Sequence, residues 1–547
     1  MRLLSFLRSS GTWNVASLGR PWAERMSIHA FLLAHGAGRE EGLGAEAPDL
    51  PDEPLDEAVR FAPGAMDGIS GHHGLAVQDE TPDTPEQMAA ALRHQIDRVL
   101  ERAEPQRLAE LYDDANSAEA LAAIDPLLAD LTAHPPAERA RSRELARFLV
   151  TEAPDRAPVK LGMALLGLFG EAEDEELLLA LGRHDELTLF AAVALQHLSK
   201  NPHGAIFRLA QAVHGWGRVH AVERLADARS PQIRRWLLLE GYRNTVLTEY
   251  TALISAKTGR LTAELAADGS DPRLLTAAGE ILAALIRGVD GPAAGIDQWE
   301  EGASAVELWL VRVCQAPLSL PLLSAVSTAA DFIRDEDEPW SEYAEHGWTA
   351  ERIQAIEQSA AAVLARPEAR ELVETALATA EDPAFLQAVK VAPALGLDPW
   401  PALYTRLEQG EDRWYHALQT GDWARVERVV ALAEERLPLQ EIASGAGKEL
   451  GLGPTYGSHR QLDWLLQELR RFPGLGRKLL AAGLKSPVVR NRNFALRALA
   501  AWGSARWDPE VRPALERALF AEPDDAVKER IKSLLAGRPI EDEPILL

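Results

Sequence analysis

A single cysteine, Cys314, is all the chain has, so no internal disulfide can form. The same count excludes a cysteine-rich zinc or iron–sulfur site and fits a reducing compartment. Aromatic residues make up only 6% of the sequence while Ala and Leu dominate, which favours helix over sheet. Long apolar runs are missing as well; nothing approaches the roughly 18 residues that a membrane-crossing helix needs. The apolar run from Leu3 to Leu7 is too short for the core of a signal peptide, and Met26 is as good a start as Met1. The expectation is a cytoplasmic protein with no membrane partner. Positive charge is also scarce: 57 Lys and Arg face 83 Asp and Glu, a formal net charge of -26. That balance repels phosphate backbones and disfavours nucleic acid as a partner unless a local basic stripe overrides it.

Motifs that carry chemistry are equally sparse. There is no Gly-x-Ser-x-Gly elbow, no His-Glu-x-x-His and no calcium loop. The glycine-rich stretch Ser444 to His459 invites a phosphate-binding role and fails its tests. Ile442 stands where a P-loop has its first glycine, Glu449 follows Gly447-Lys448 where Ser or Thr is needed, and Leu450 replaces the third glycine of a dinucleotide fingerprint. It reads as a long inter-helix loop. His72 and His73 have no further metal ligand at nearby spacing and read as a loop pair. Cys314, in LWLVRVCQAP, reads as a buried structural thiol. No catalytic residue, cofactor or metal is expected.

What the chain does have is length and helical rhythm. Its 547 residues exceed one compact core, and 47% hydrophobic content is ample for several domains or one elongated array. Residues 1–83 are acidic and Gly/Pro-rich and are expected to be loosely ordered. Helical repeats are expected over 84–287, a linker and helix pair over 288–339, and middle repeats over 340–443. The glycine-rich loop 444–459, C-terminal repeats over 460–537 and a frayed tail at 538–547 follow. Thr84-Pro85-Glu86-Gln87 is a capping box, and Met88, Leu92, Ile96 and Val99 continue it as one apolar stripe. A second helix is expected near 117–131. Asp422 caps a stretch whose Val426, Val429, Val430 and Ala433 share a face.

One phrase recurs at helix starts. Ser230-Pro231-Gln232-Ile233-Arg234 matches Ser486-Pro487-Val488-Val489-Arg490, with looser copies at Asp508-Pro509 and Glu522-Pro523. The first residue caps, Pro fixes the first helical φ, the β-branched residue faces the core, and the Arg can reach a neighbouring acidic group. Arg490 and Lys528 stand 38 residues apart, within the period of two-helix repeats. The phrasing resembles HEAT-type repeats, best over 484–537 and fairly over 165–286. That resemblance implies an all-α fold, an α-α superhelix of stacked antiparallel helix pairs forming a HEAT-like solenoid. Capped helices in a non-repeating helical domain are the alternative.

The densest segment is Val213 to Ala256, which gathers Trp216, Arg218, His220, Glu223, Arg224, Tyr242, Arg243, Asn244 and Tyr250. Arg beside Trp and Tyr is the composition of a recognition surface. The alternative is internal: Trp216, Trp236 and Tyr250 as core, with Arg218, Glu223 and Arg224 in a salt-bridge and capping network. The segment is also similar to a bacterial all-helical family often labelled limonene hydroxylase, through Gly215-Trp216-Gly217-Arg218, His220, Glu223-Arg224-Leu225 and Gly241-Tyr242-Arg243-Asn244. That resemblance implies monoterpene oxidation, and with it a small apolar ligand. The leading expectation is instead a non-catalytic scaffold or adaptor that binds a protein partner through a face centred on 213–256.

Overall fold

In a computed structural model the described residues are 13–22, 24–38, 43, 47–52, 61–73, 84–117, 120–267, 271–289 and 291–540. Local sequence rules account for many helix starts. The Thr84 hydroxyl accepts from the Gln87 amide and the Gln87 side chain answers at the Thr84 amide, which opens helix Pro85–Glu101 and buries Leu92, Ile96 and Val99. Asp271 caps Pro272–Arg287, and Asp422 caps Trp423–Arg436 with Val426, Val429, Val430 and Ala433 buried. Ser230 departs from this pattern: it precedes helix Pro231–Trp236, but its hydroxyl makes no capping bond. The helix expected near 117–131 is Ala120–Ala133, and helix Pro105–Ser117, not anticipated, lies before it.

The architecture is all-α: 30 α-helices and no strand among the described residues. None of these helices is long and apolar enough to cross a membrane. The described residues form two compact units, one running to Leu372 and the other beginning at Val373. In the first unit one row of helices packs each on the next: Pro85–Glu101, Ala120–Ala133, Arg156–Phe169, Asp185–Leu198, Trp216–Glu223, Glu249–Gly259, Pro272–Arg287, Leu320–Arg334 and Ala350–Leu364. In the second, Trp414–Leu418, Gly457–Leu469, Val489–Trp502 and Asp525–Leu535 form a similar row around a core that includes Leu465, Leu466, Leu496 and Leu499.

Two expectations need correction. Within residues 1–83, the described parts are not loose: Ile28–Ala34 and Ala65–His73 are helices, and Val15, Ile28 and Leu32 join the main core of the first unit. Burial of such side chains offsets the Gly/Pro content that suggested disorder. Cys314 is half-buried rather than buried; it ends helix Gly302–Val313 with its Sγ 3.8 Å from the Ser359 carbonyl. The glycine-rich stretch 444–459 connects helices, and the Gly445 and Glu449 amides donate to the Lys485 and Pro487 carbonyls. Residues 541–547 of the tail, expected to fray, and the run from Leu3 to Leu7 lie outside the described residues.

Candidate functional site

Helix Trp216–Glu223 is set in place by a carboxylate on its neighbour. Asp185 Oδ1 accepts from the amides of Gly215 and Gly217 at 3.0 and 2.7 Å. A Cβ on Gly217 would stand 2.3 Å from Thr188 Oγ1, so glycine is required for this approach. Burial raises the Asp185 carboxyl above its usual range even though both amides favour its charge. On the other side, helix Ala65–His73 lies against the Trp216 ring. It can do so because a Cβ on Gly68 would fall 2.2 Å from that ring, and Gly64 enters the helix with φ +77°. Ala65, Trp216, Val219 and Tyr250 make a small apolar cluster of their own beneath these two helices.

This arrangement brings Asp67 and His72 from one helix together with His220, Glu223 and Arg224 from the other. They form the polar end of a cavity of about 260 Å³. Its remaining wall is apolar apart from Asp125: Gly71, Ile124, Leu128, Ala164, Leu189, Phe190 and Val193. Glu223 is the hub. Its Oε1 lies 3.0 Å from His72 Nε2, and its Oε2 lies 3.2 Å from the Arg224 guanidinium and 3.5 Å from His220 Nδ1. Burial opposes ionisation of Glu223, but the bonds from His220 and His72 outweigh it and hold the carboxyl down at about 2. Glu223 is therefore a carboxylate at neutral pH.

His220 is the unusual member. It is 4% exposed, stacks on Trp216 with centroids 6.1 Å apart, and turns Nδ1 to the Glu223 carboxylate. Its Nε2 is buried and has no hydrogen-bond partner among the described residues. A buried polar atom without a partner costs roughly 1–3 kcal/mol, and of the seven such side-chain atoms among the described residues only this one belongs to a residue that lines the cavity. The carboxylate favours the hydrogen on Nδ1, which leaves Nε2 of the neutral ring an acceptor.

Behind Asp67 sits a buried cation. Lys160 Nζ bonds Asp67 Oδ2 at 2.6 Å and Glu186 Oε1 at 2.7 Å, and the Gly64 amide donates to Glu186 Oε2. Desolvation works against the ammonium, yet the two carboxylates hold it charged and raise its pKa. The carboxylates diverge. Burial pushes Asp67 up despite Lys160, whereas Glu186 overcomes its burial through Lys160 and Arg156 and is held low. Pairs of acids driven apart in this way are a feature of functional sites.

Of the nine residues singled out in the sequence, His220, Glu223 and Arg224 line the cavity. Trp216 and Tyr250 stand behind it, both against His72, at 5.8 and 4.7 Å between centroids. The rest lie elsewhere. Arg218 is buried and donates to the carbonyls of Val213 and Arg243 at 2.7 and 3.2 Å, with its guanidinium 5.4 Å from the Trp236 ring. Tyr242 is fully buried and donates to Glu280, which Arg243 also meets at 2.9 Å. Asn244 closes the following turn on the Leu247 carbonyl. Five of the nine, Trp216, Arg218, His220, Tyr242 and Tyr250, are buried and so lie in the interior, whereas Glu223, Arg224 and Asn244 are half-buried and Arg243 is exposed. The salt-bridge alternative holds only for Arg224 and Glu223, because Arg218 pairs with carbonyls instead.

Asp67, His72, Lys160 and Glu186 escaped the sequence reading. His72 and His73 close a helix rather than sit in a loop. The signal was the spacing of Gly64, Gly68 and Gly71, which gives a helix a smooth face for a close neighbour. Among the described residues no group of three His, Cys, Asp or Glu side chains is arranged to hold a metal ion. No protein-family model, curated protein or solved structure matches the chain.

Proposed function

We propose that the first unit binds a small molecule with an apolar body and one hydroxyl group in the cavity beside His220. The observation that carries this is the buried, unpartnered Nε2 of His220 at the polar end of a pocket whose remaining wall is apolar apart from Asp125. A bound hydroxyl would donate to Nε2, while its hydrocarbon body would lie on Leu128, Leu189 and Phe190. The volume is near the lower end of the range typical of ligand cavities, which favours a compact molecule. Glu223 and Trp216 fix the imidazole, and Glu223 stabilises it if it takes the hydroxyl proton, so the same pair suits general-base catalysis.

The row of packed helices in the first unit supports HEAT-like stacking as its architecture. A scaffold or adaptor that docks a protein partner on 213–256 has less support, because five of the nine residues that would form its face are buried. Monoterpene oxidation, implied by the resemblance at the same segment, is the narrower version of the small-ligand proposal. Its hydrocarbon part fits the apolar wall.

Titration calorimetry of the full chain with carveol, perillyl alcohol and limonene separates these ideas. The alcohols should bind one per chain and the hydrocarbon about tenfold more weakly or worse, since only the alcohols satisfy Nε2. Equal binding of alcohol and hydrocarbon, or no binding at all, would overturn the proposal. Formation of carveol from limonene with NAD(P)H and oxygen would place the protein among monoterpene oxidoreductases.

A further inference from the structure

The second unit holds a larger cavity of about 730 Å³ that none of the preceding chemistry uses. Helices Arg477–Gly483, Val489–Trp502 and Val511–Ala521 form it together with the start of the glycine-rich loop. Its floor is Leu480, Leu484, Leu499 and Trp502, each more than nine-tenths buried. Its rim carries Lys485, Arg506 and Arg517, all exposed. Among the described residues none of these three side chains makes an ion pair or hydrogen bond, whereas Arg477 is paired with Asp508. Glu510 is the remaining acid on the rim. Three unpaired cations around one apolar opening are a local exception in a chain of net charge -26.

We propose that this cavity binds a single-chain anionic amphiphile, its hydrocarbon tail on the leucines and Trp502 and its anionic head among Lys485, Arg506 and Arg517. Charge complementarity selects an anion, and the depth of the floor selects a narrow tail. A helix about 10 Å across would rest on the rim without reaching side chains so deeply buried. A carboxylate and a phosphate monoester share the required head-group chemistry, because both accept hydrogen bonds from Arg and Lys.

The test uses the full chain and four probes below their aggregation concentrations: dodecanoate, dodecyl phosphate, dodecanol and dodecyltrimethylammonium. Calorimetry or native mass spectrometry should find one anion per chain, with the alcohol weaker and the ammonium weakest. Preference for either anion supports the proposal and identifies the head group. The triple substitution Lys485→Ala, Arg506→Ala, Arg517→Ala should weaken anion binding about tenfold without changing the melting temperature, as all three side chains are exposed. Ala518→Trp, which fills the cavity, should abolish it, and His220→Phe should leave it unchanged. Equal binding of ammonium and anion, full affinity in the triple variant, or no binding of either anion would overturn the proposal.

Discussion

Each unit contains a buried cluster built on a histidine and carboxylates, and the two are finished differently. In the second unit His459 Nδ1 meets Ser486 Oγ at 3.1 Å and Asn491 Oδ1 at 2.8 Å, while the Asn491 amide donates to the His459 carbonyl and to Asp463. Arg490 pairs with Asp463. Arg492, 1% exposed, forks onto Glu522 and also donates to the carbonyls of Ser486, Pro487 and Gly447. Ser, His and Asp are all present, but Ser486 and Asn491 share one ring nitrogen and the serine is fully buried, so this is not a nucleophile with its base. The hydrogen bonds hold the glycine-rich loop to the last helices. In the first unit the corresponding histidine is buried and leaves its Nε2 without a partner beside a cavity, whereas His459 is only half-buried and none of its atoms is a buried orphan. A closed network fastens structure, whereas an unfinished one gives a ligand something to complete.

The largest effect should come from breaking the closed network. Arg492→Met leaves Glu522 charged and buried and should cost the second unit about 3–5 kcal/mol in denaturant unfolding. Adding Glu522→Met should recover much of that loss, because no uncompensated charge remains. The next effect belongs to the unfinished cluster and depends on pH. Glu223 titrates at about 2 in the folded chain, below its ordinary 4.5. Its stabilisation is therefore complete above pH 4.5 and lost as pH falls towards 2. Glu223→Gln should remove up to about 3 kcal/mol of that pH-dependent stability, seen as a flatter profile between pH 5 and 2.5. Arg218→Ala should lower stability by about 1–3 kcal/mol by stripping a donor from buried carbonyls, with carveol affinity unchanged. An unchanged melting temperature would return Arg218 to a recognition role.

The smallest effect is the most telling. His459→Phe removes a ring bonded to both Ser486 and Asn491 and should cost about 1–3 kcal/mol. His220→Phe removes the unpartnered Nε2, which offsets part of the loss of the 3.5 Å bond to Glu223, a carboxylate that keeps His72 and Arg224, and should cost less than His459→Phe. Equal losses from the two substitutions would erase the distinction between the clusters.

Sequence rules found what is local. The caps at Thr84, Asp271 and Asp422 depend on a few neighbouring residues, and so does the buried face of Val426, Val429, Val430 and Ala433. His220 and Glu223 stand out as candidates in the composition of their segment; their setting beside a cavity does not. Whether Arg218 faces solvent or the carbonyls of Val213 and Arg243 depends on the close packing of neighbouring helices. His72 meets Glu223 only because Gly64 and Gly68 let two helices distant in sequence touch, and glycine in a Pro-rich stretch looks the same whether it breaks a helix or makes room for one.

The central claim is that His220 Nε2 awaits a hydroxyl. Its most direct test is calorimetric titration of carveol into the wild-type chain and His220→Phe, at a temperature where the melting transition of each shows it fully folded. A one-to-one isotherm in the wild type, weakened about tenfold or more by the substitution, is predicted. Equal affinity in the two proteins would contradict it.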